Sequence, residues 1–314
     1  MLNSQRIFVD AIKRYCAEHG IAVDVRSQGW LIVMERGARC HFAFGYDIGL
    51  NSAMAHRIAN DKAATSEVLQ LSGVDCIPHT IFLNPRLNDY VPAVGAWEAM
   101  LALLPQHPNG LVVKPNEGTS GKSVFRVKAK PALELAANRI FSTDQSLAIA
   151  PYVTIDDEVR VVLVDDVPAV VYSKNRPFVT GDGKRSLLEL ALDALPAARR
   201  STVLPGMIGE LDRVELDAIV PAGERRMLNW RHNLESGAEP LLLDKGETRE
   251  ACIALAIKAA RAIGIRFASV DVVRVQGTWK VLEINSGVMM ESLSKHHPEL
   301  VYATYNAALD KVFV

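Results

Sequence analysis

The spacing of hydrophobic and polar positions changes several times along the chain, which predicts a mixture of helices and strands. The first segment has helical spacing from Arg6 to His19, and Gly20 ends it. The clearest later helix runs from Asp61, a favourable N-cap residue, to Gly73, a favourable residue just beyond a C-terminus. Other helices are predicted at 96–104, 131–141 and about 248–264, and one begins at the capping box formed by Ser186 and Glu189.

Short apolar segments bounded by turn residues predict the strands. They lie around Val23, at 31–34 and at 111–114, and residues 159–173 predict two strands around Asp165-Asp166. A Gly181-Asp182-Gly183 turn follows, and a final hairpin is predicted from 268–275 and 278–285. Because helices and strands mix without strict βαβ alternation, the pattern predicts α+β subdomains rather than one doubly wound sheet.

Composition excludes several classes of protein. The chain has 314 residues, of which 49% are hydrophobic and 23% charged, so it is long and apolar enough to fold. The net charge of −1 and the lack of a basic run argue against nucleic acid or an anionic membrane as partner. No apolar run approaches the roughly 20 residues that cross a bilayer, and the N-terminal segment does not resemble a signal peptide. Four cysteines (Cys16, Cys40, Cys76 and Cys252) form no C-x-x-C pair, which predicts a reduced, cytoplasmic protein without zinc.

A polar loop after the strand at 111–114 is the first candidate for chemistry. Residues 116–123 end in Gly-Lys-Ser as a Walker A loop does, but Asn116 stands where that motif needs glycine. One interpretation is a flexible loop whose backbone N–H groups approach phosphate oxygens, with Lys114 directed at the same phosphates. The other is an ordinary surface turn.

The final hairpin carries three oxygen-bearing side chains, Asp271, Glu283 and Asn285, among β-branched residues. Buried carboxylates need a compensating cation, and this set of oxygen ligands suits Mg²⁺. The three side chains share a face only if directly opposed residue numbers have an even sum. We therefore predict a three-residue loop at 275–277; the alternative is an ordinary amphipathic hairpin with solvated acids.

Six motifs in a fixed order resemble the ATP-grasp superfamily of carboxylate–amine ligases. The resemblance is strongest to the ATP-grasp domains of cyanophycin synthetase, bifunctional glutathione synthetase and ribosomal-protein glutamate ligase. The motifs extend over about residues 50–290. They are Asp61-Lys62 with Thr65 and Leu69; Val112-Val113-Lys114-Pro115 followed by glycines; Glu158-Val159-Arg160; Val179-Thr180-Gly181-Asp182-Gly183; Arg231-His232-Asn233-Leu234 with Ser236-Gly237; and Ser269-Val270-Asp271 with Glu283-Ile284-Asn285.

The resemblance implies an ATP-grasp fold, in which two α+β subdomains grip ATP, preceded here by a short N-terminal α/β segment. It implies boundaries at 1–60 for that segment, 61–150 for the small lid subdomain and 151–314 for the C-terminal subdomain with the metal site. Two positions depart from the family pattern, because Asp156 and Ser123 stand where glycines are common. The region before residue 50 is also shorter than the usual leading domain, so the substrate of a relative cannot be transferred to this chain.

The resemblance also implies a role for each matching residue. ATP would be held by Lys62, Lys114, the loop residues Gly118, Thr119, Ser120 and Gly121, and the segment containing Ala150 and Tyr152. Asp271, Glu283 and Asn285 would bind Mg²⁺, with Mn²⁺ as an alternative. Arg160, Lys174, Arg231 and Asn233 would face the transferred phosphoryl group and the acyl phosphate.

The function implied is an ADP-forming ligase that joins a carboxylate to an amine through an acyl phosphate. Its substrates would be small molecules such as amino acids or short peptides, without nucleic acid or membrane, and a homodimer is compatible with the sequence. Two alternatives stay open: a small-molecule kinase, and a non-catalytic nucleotide-binding module. Individual residues have simpler interpretations too. Lys62 could be a solvated lysine, Arg160 and Lys174 exposed edge charges, and Arg231 and Asn233 parts of a turn.

Overall fold

We describe the protein from a computed structural model, which covers residues 6–87, 96–118, 121–211 and 213–313. Its α-helices are α1 (Ile7–Glu18), α2 (Ala53–Asn60), α3 (Lys62–Leu71), α4 (Ala96–Gln106), α5 (Lys130–Phe141), α6 (Leu187–Ala194), α7 (Ala197–Glu210), α8 (Arg213–Asp217), α9 (Glu247–Ile263), α10 (Glu291–Ser294) and α11 (Pro298–Phe313). Its strands are β1 (Ala22–Arg26), β2 (Leu31–Arg36), β3 (Arg39–Phe44), β4 (Thr80–Leu83), β5 (Leu111–Pro115), β6 (Phe125–Val127), β7 (Ser146–Pro151), β8 (Asp157–Val164), β9 (Val167–Asn175), β10 (Phe178–Thr180), β11 (Arg225–Met227), β12 (Glu239–Leu242), β13 (Phe267–Val275) and β14 (Thr278–Asn285).

The chain divides into two compact units. The first unit comprises Met1–Val171 together with Asp244–Val314, and the second comprises Tyr172–Leu243. The division falls within β9. The three-segment organisation predicted from the sequence stays a prediction.

Sheets in the first unit bring distant parts of the sequence together. The N-terminal sheet has the order β1-β2-β3, and a four-stranded sheet has the order β4-β7-β5-β6. A larger sheet has the order β12-β9-β8-β13-β14, in which β12 pairs with residues 172–175 of β9 in the second unit. Main-chain hydrogen bonds join the segment before β4 to β14, because Ile77 N donates to Val281 O and Val281 N donates to Asp75 O.

The predicted helices form where their capping residues indicate. Asp61 Oδ1 accepts a hydrogen bond from Ala64 N at the start of α3. The capping box at α6 is complete, since Ser186 Oγ accepts from Glu189 N and Glu189 Oε2 accepts from Ser186 N. Gly264 ends α9 in the left-handed conformation, with φ +74°.

The prediction of a three-residue loop in the final hairpin is wrong. Val275 pairs directly with Thr278, so the loop is the two-residue Gln276-Gly277 turn, in which both residues have positive φ. The two acids nevertheless share a face, because the register shifts between Asp271 and Val272. Leu282 is the extra residue of a β-bulge there, and Asp271 opposes Glu283 directly. Without the bulge, the two-residue loop would place Asp271 and Glu283 on opposite faces of the sheet.

Several elements were not anticipated from the sequence, among them β3, the β4–β7 pair and α11. The four cysteines form no disulfide, and Cys16 and Cys252 are buried whereas Cys40 is exposed. Within the described ranges, no helix has both the length and the apolar character needed to span a membrane.

Candidate nucleotide and metal site

Both carboxylates of the final hairpin lie on the same face of the large sheet. Asp271 in β13 opposes Glu283 in β14, and the neighbouring pair on that face is Ser269 with Asn285. Asp271 is 1% exposed, whereas Glu283 and Asn285 are half-buried. Asn285 Nδ2 lies 3.4 Å from Glu283 Oε1. The interpretation of these side chains as solvated acids is therefore wrong for Asp271.

Arg160 joins this cluster from the other side of β13. It opposes Asp271 across the β8–β13 pair, and its Nε and Nη2 donate to the two carboxylate oxygens of Asp271 at 2.7 and 2.6 Å. Because β8 lies inside the sheet, Arg160 is not an exposed edge charge. A bidentate pair fixes the plane of the Asp271 carboxylate and still leaves lone pairs on both oxygens.

Lys114, near the end of β5, brings a buried positive charge toward the same acids. Its side chain is 7% exposed, and burial lowers the pKa of its ammonium to about 8 although the Glu283 carboxylate acts to raise it. Among the described residues, no hydrogen bond or ion pair engages the Lys114 ammonium. A buried lysine of this kind is costly unless an anion compensates it.

Lys62, the first residue of α3, approaches the loop that follows β5. Its Nζ donates to Asn116 O at 3.1 Å and to Gly118 O at 2.8 Å. Burial lowers the pKa of the Lys62 ammonium, and the Glu283 carboxylate opposes this shift. Lys62 is therefore half-buried, and its ammonium is bound to the loop backbone rather than fully solvated. Glu283 acts electrostatically on both lysines, so one site contains two ammonium groups and a carboxylate.

The structure describes only part of the predicted phosphate loop. Gly118 accepts the Lys62 hydrogen bond, whereas Thr119 and Ser120 lie outside the described residues. Gly121 has φ +66° and Ser123 has φ +52°. Ser123, where the family pattern often has glycine, thus adopts a left-handed conformation that glycine adopts without strain.

Ala150 and Tyr152, predicted to border adenine, lie at the end of β7 and just beyond it. The Ala150 side chain packs in an apolar cluster with Val273 and Val275 of the final hairpin. Tyr152 N donates to Gly110 O, and the Arg126 guanidinium lies 3.6 Å from the centre of the Tyr152 ring. The cluster joins the four-stranded sheet to the strand that carries Asp271.

Oxygen donors on the hairpin face fit a hard divalent cation. Two carboxylates and one side-chain amide lie on one face there, and Mg²⁺ takes one or two carboxylates while phosphates and water complete its coordination. The described part of the chain contains no cluster of three or more His, Cys, Asp and Glu residues that could hold a metal by themselves. This is compatible with a Mg²⁺ that binds together with nucleotide phosphates.

Three further buried polar groups lie near Lys62, Lys114 and Asp271, and the sequence did not indicate a role for them. Among the described residues, His79 Nε2, Asn116 Nδ2 and Ser269 Oγ have no hydrogen-bond partner. His79 is kept neutral because burial, followed by the charges of Lys114 and Lys62, lowers the pKa of its imidazole well below the usual value. Asn116 and Ser269 each lie two residues from Lys114 or Asp271 in the sequence, which does not reveal burial, and His79 has no such signal.

The remaining predicted residues belong to the second unit. Lys174 is buried in β9. Burial, followed by the charges of Arg176 and Lys174, lowers the pKa of His232 to about 3.

The segment that contains Arg231 and Asn233 forms local hydrogen bonds. Arg231 N donates to Asn229 Oδ1, and Asn233 Oδ1 accepts from Glu235 N at the start of a short turn. Asn233 therefore does perform a turn function, and any catalytic role for these residues stays a prediction.

Comparison with known protein families gives one match. The model of the RimK-like ATP-grasp domain matches residues 214–299, which include Asp271, Glu283 and Asn285. No curated protein sequence matches the chain.

Comparison with solved structures gives matches over most of the chain. A bifunctional glutathione synthetase from Pasteurella multocida is 16% identical with a TM-score of 0.52; the match covers 95% of this chain and 44% of the synthetase, so the chain spans less than half of it. A D-alanine–D-alanine ligase from Bacillus anthracis is 16% identical with a TM-score of 0.53, covering 84% and 69% of the two chains. A D-cycloserine synthetase is 20% identical with a TM-score of 0.50, covering 81% and 71%.

These findings confirm the resemblance to ATP-grasp proteins. The chain has the ATP-grasp fold, with helices and sheets mixed as an α+β protein. At this level of identity the structural matches establish the fold alone, so the reaction and the site residues are treated as proposals below.

Proposed function

We propose that the protein is an ATP-dependent, ADP-forming ligase that joins a carboxylate to an amine through an acyl phosphate. The observation that carries this proposal is the burial of Lys114 beside Glu283, with Lys62 in the same electrostatic environment. A buried and a half-buried ammonium group, with an acid on the metal-binding face, suit a nucleoside triphosphate with a divalent cation. A face with carboxylates but without a lysine ammonium nearby would suit a metal ion but not the phosphates of ATP.

The chemistry requires activation of the acid, because a carboxylate oxygen is a poor leaving group. The carboxylate attacks the γ-phosphorus of ATP, forming an acyl phosphate and releasing ADP. The amine then attacks the acyl carbon, loses a proton, and expels inorganic phosphate as the amide forms. Catalysis of phosphoryl transfer consists mainly of positioning and of charge neutralisation.

The residues of this chain supply both effects. Lys62 and Lys114 would bind phosphate oxygens, and Arg160 would hold Asp271 in a fixed orientation. Glu283, Asn285 and Asp271 would hold Mg²⁺, which when bound neutralises part of the phosphate charge. Lys174, Arg231 and Asn233 are proposed to stabilise the acyl phosphate and the oxyanion formed when the amine attacks.

An assay that does not require the natural amine tests the proposal. Hydroxylamine intercepts acyl phosphates as hydroxamates, so a panel of carboxylic acids can be tested with ATP, Mg²⁺ and hydroxylamine before the natural amine is known. We expect hydroxamate and ADP in equal amounts for at least one amino acid or short peptide. Phosphorylation of a hydroxyl group without hydroxamate would favour the kinase alternative. ATP binding without turnover over the whole panel would favour the non-catalytic module.

A further inference from the structure

A third carboxylate lies just beyond the predicted metal ligands and has no part in the proposed chemistry. Glu291, at the start of α10, follows Asn285 by a short loop, and its Oε1 accepts a hydrogen bond from the Tyr46 hydroxyl at 2.5 Å. Tyr46 comes from the N-terminal region, so this contact joins parts of the chain separated by 245 residues. Burial, followed by the hydrogen bond to Glu291, raises the pKa of Tyr46, which keeps its hydroxyl a donor.

Packing holds the loop between Asn285 and Glu291 in place. Tyr305 Oη donates to Val288 O at 2.8 Å, and the Phe8 ring contacts both Tyr305 and Tyr46, with centroids 5.2 and 5.4 Å apart. A Cβ added to Gly287 would lie 3.6 Å from Tyr46 Cβ. Tyr46 therefore reaches within two residues of Asn285, and the Tyr46–Glu291 pair borders the end of the metal-binding strand.

The second oxygen of Glu291 lacks a partner. Among the described residues, its Oε2 is buried and accepts no hydrogen bond, and no Lys, Arg or His side chain there forms an ion pair with it. Arg6 lies against the Tyr46 ring but donates to the carbonyl groups of Gly29 and Gly45. A buried carboxylate oxygen without a donor is unfavourable, so this position calls for a bound donor.

We propose that Glu291, oriented by Tyr46, binds the ammonium group of an amino-acid substrate. A carboxylate that is fixed by one hydrogen bond, and whose other oxygen is buried without a donor, is suited to a charged N–H donor. A carboxylate partner keeps an amine protonated, and a protonated amine cannot attack an acyl phosphate. The ammonium bound by Glu291 is therefore not the attacking amine, and it belongs to the substrate whose carboxylate is activated.

This inference rests on the proposed function and specifies its acid substrate as an amino acid. The hydroxamate assay tests it with matched acids that differ only in the amino group, such as alanine with propionate, aspartate with succinate, and glutamate with glutarate. We expect the wild-type protein to use one amino acid over its des-amino partner by roughly 10- to 100-fold in kcat/KM, as charged hydrogen bonds contribute in other proteins.

Three variants make the test specific. Glu291→Gln should reduce the preference for the amino acid to near unity by raising its KM, while the kcat/KM for the des-amino acid and the KM for ATP stay unchanged. Tyr46→Phe should reduce the preference only partly, because Glu291 keeps its charge but loses its orientation. Glu299→Gln, on the exposed surface of α11, is the matched control and should leave the preference at the wild-type value.

The outcomes separate the inference from the function on which it rests. Two results with Glu291→Gln would overturn the inference and leave the proposed function standing. One is hydroxamate formation with an undiminished preference for the amino acid. The other is an equal loss of kcat/KM for the amino acid and the des-amino acid. Absence of hydroxamate from every acid with the wild-type protein would overturn the proposed function itself. Circular dichroism and thermal unfolding of each variant confirm that any loss occurs in folded protein.

Discussion

At the scale of single residues, the most informative feature is a lysine that is unfavourably placed for folding. Lys114 is 7% exposed, and burial lowers the pKa of its ammonium. Holding this ammonium charged in the folded protein therefore lowers the free energy of unfolding. Residues retained at a cost to stability are typical of functional sites. The sequence indicated Lys114 through its motif, but its burial depends on sheet packing that the motif does not describe.

Replacing Lys114 with Met should therefore stabilise the protein in the absence of ATP while abolishing ATP turnover. The pKa of Lys114 falls from 10.5 to about 8 on folding, so burial costs roughly 3 kcal/mol at most below pH 8. As pH rises from about 8 toward 10.5, the folded protein loses this charge before the unfolded chain does, and the cost disappears. The gain in Lys114→Met should be largest at pH 7 and smaller at pH 9.5, as measured by urea unfolding.

Exposed Lys245 provides the control for this experiment, since Lys245→Met should change stability little at either pH. A Lys114→Met protein that is less stable than wild type at pH 7, or that still hydrolyses or transfers phosphate from ATP, would contradict the role of Lys114.

Glu283 is the residue at which the metal assignment can be tested with least disturbance to the fold. Asp271 forms a buried ion pair with Arg160, so its removal would break that pair, whereas Glu283 is half-buried. Glu283→Gln should lower kcat/KM by about 10²- to 10³-fold, the usual effect of removing one electrostatic group from a transition state. The hydroxamate assay measures this change, and the unfolding free energy should fall somewhat, because the Glu283 carboxylate also favours the charged form of buried Lys114. Near-normal turnover in Glu283→Gln would exclude Glu283 as a metal ligand.

At the scale of secondary-structure elements, local chemistry was predictable and long-range pairing was not. Asp61 and the Ser186–Glu189 capping box act within a few residues, and both cap their helices as predicted. The shared face of Asp271 and Glu283 was also expected, but for the wrong reason. A bulge at Leu282 sets the register instead of a longer loop, and a bulge inside a strand leaves no turn residue to indicate it.

Gly181 shows how close backbone contact constrains an element of the second unit. A Cβ at this position would lie 2.1 Å from Pro221 O and 2.5 Å from Val220 O, a clash that only backbone movement can relieve. Gly181→Ala should therefore destabilise the second unit by roughly 2–4 kcal/mol. Thermal or urea unfolding measures this effect.

Gly209 is the matched control in the same unit. It lies in α7, and a Cβ there meets nothing within 4 Å, so Gly209→Ala should stabilise the helix by about 0.5–1 kcal/mol. Equal stabilities for the two variants would show that the contact between Gly181 and the 220–221 carbonyl groups does not constrain this turn.

At the scale of the whole molecule, the order of short motifs predicted the fold better than any single motif did. The motifs extend through both compact units, and the ATP-grasp fold they implied is confirmed. Sheet order could not be predicted, because β4, β5 and β7 pair across long separations without a local signal. The Tyr46–Glu291 contact was hidden for the same reason, since neither residue belongs to a motif.

The central claim is that a carboxylate oxygen is transferred to phosphate while an amide forms. The most direct test uses an acid found in the hydroxamate assay, labelled with ¹⁸O in its carboxylate. This acid is allowed to react with its amine in the presence of the protein, ATP and Mg²⁺. Mass analysis of the products should show one ¹⁸O atom in the inorganic phosphate and ADP as the nucleotide product. Unlabelled phosphate, or label recovered in AMP, would contradict an acyl phosphate and with it the proposed function.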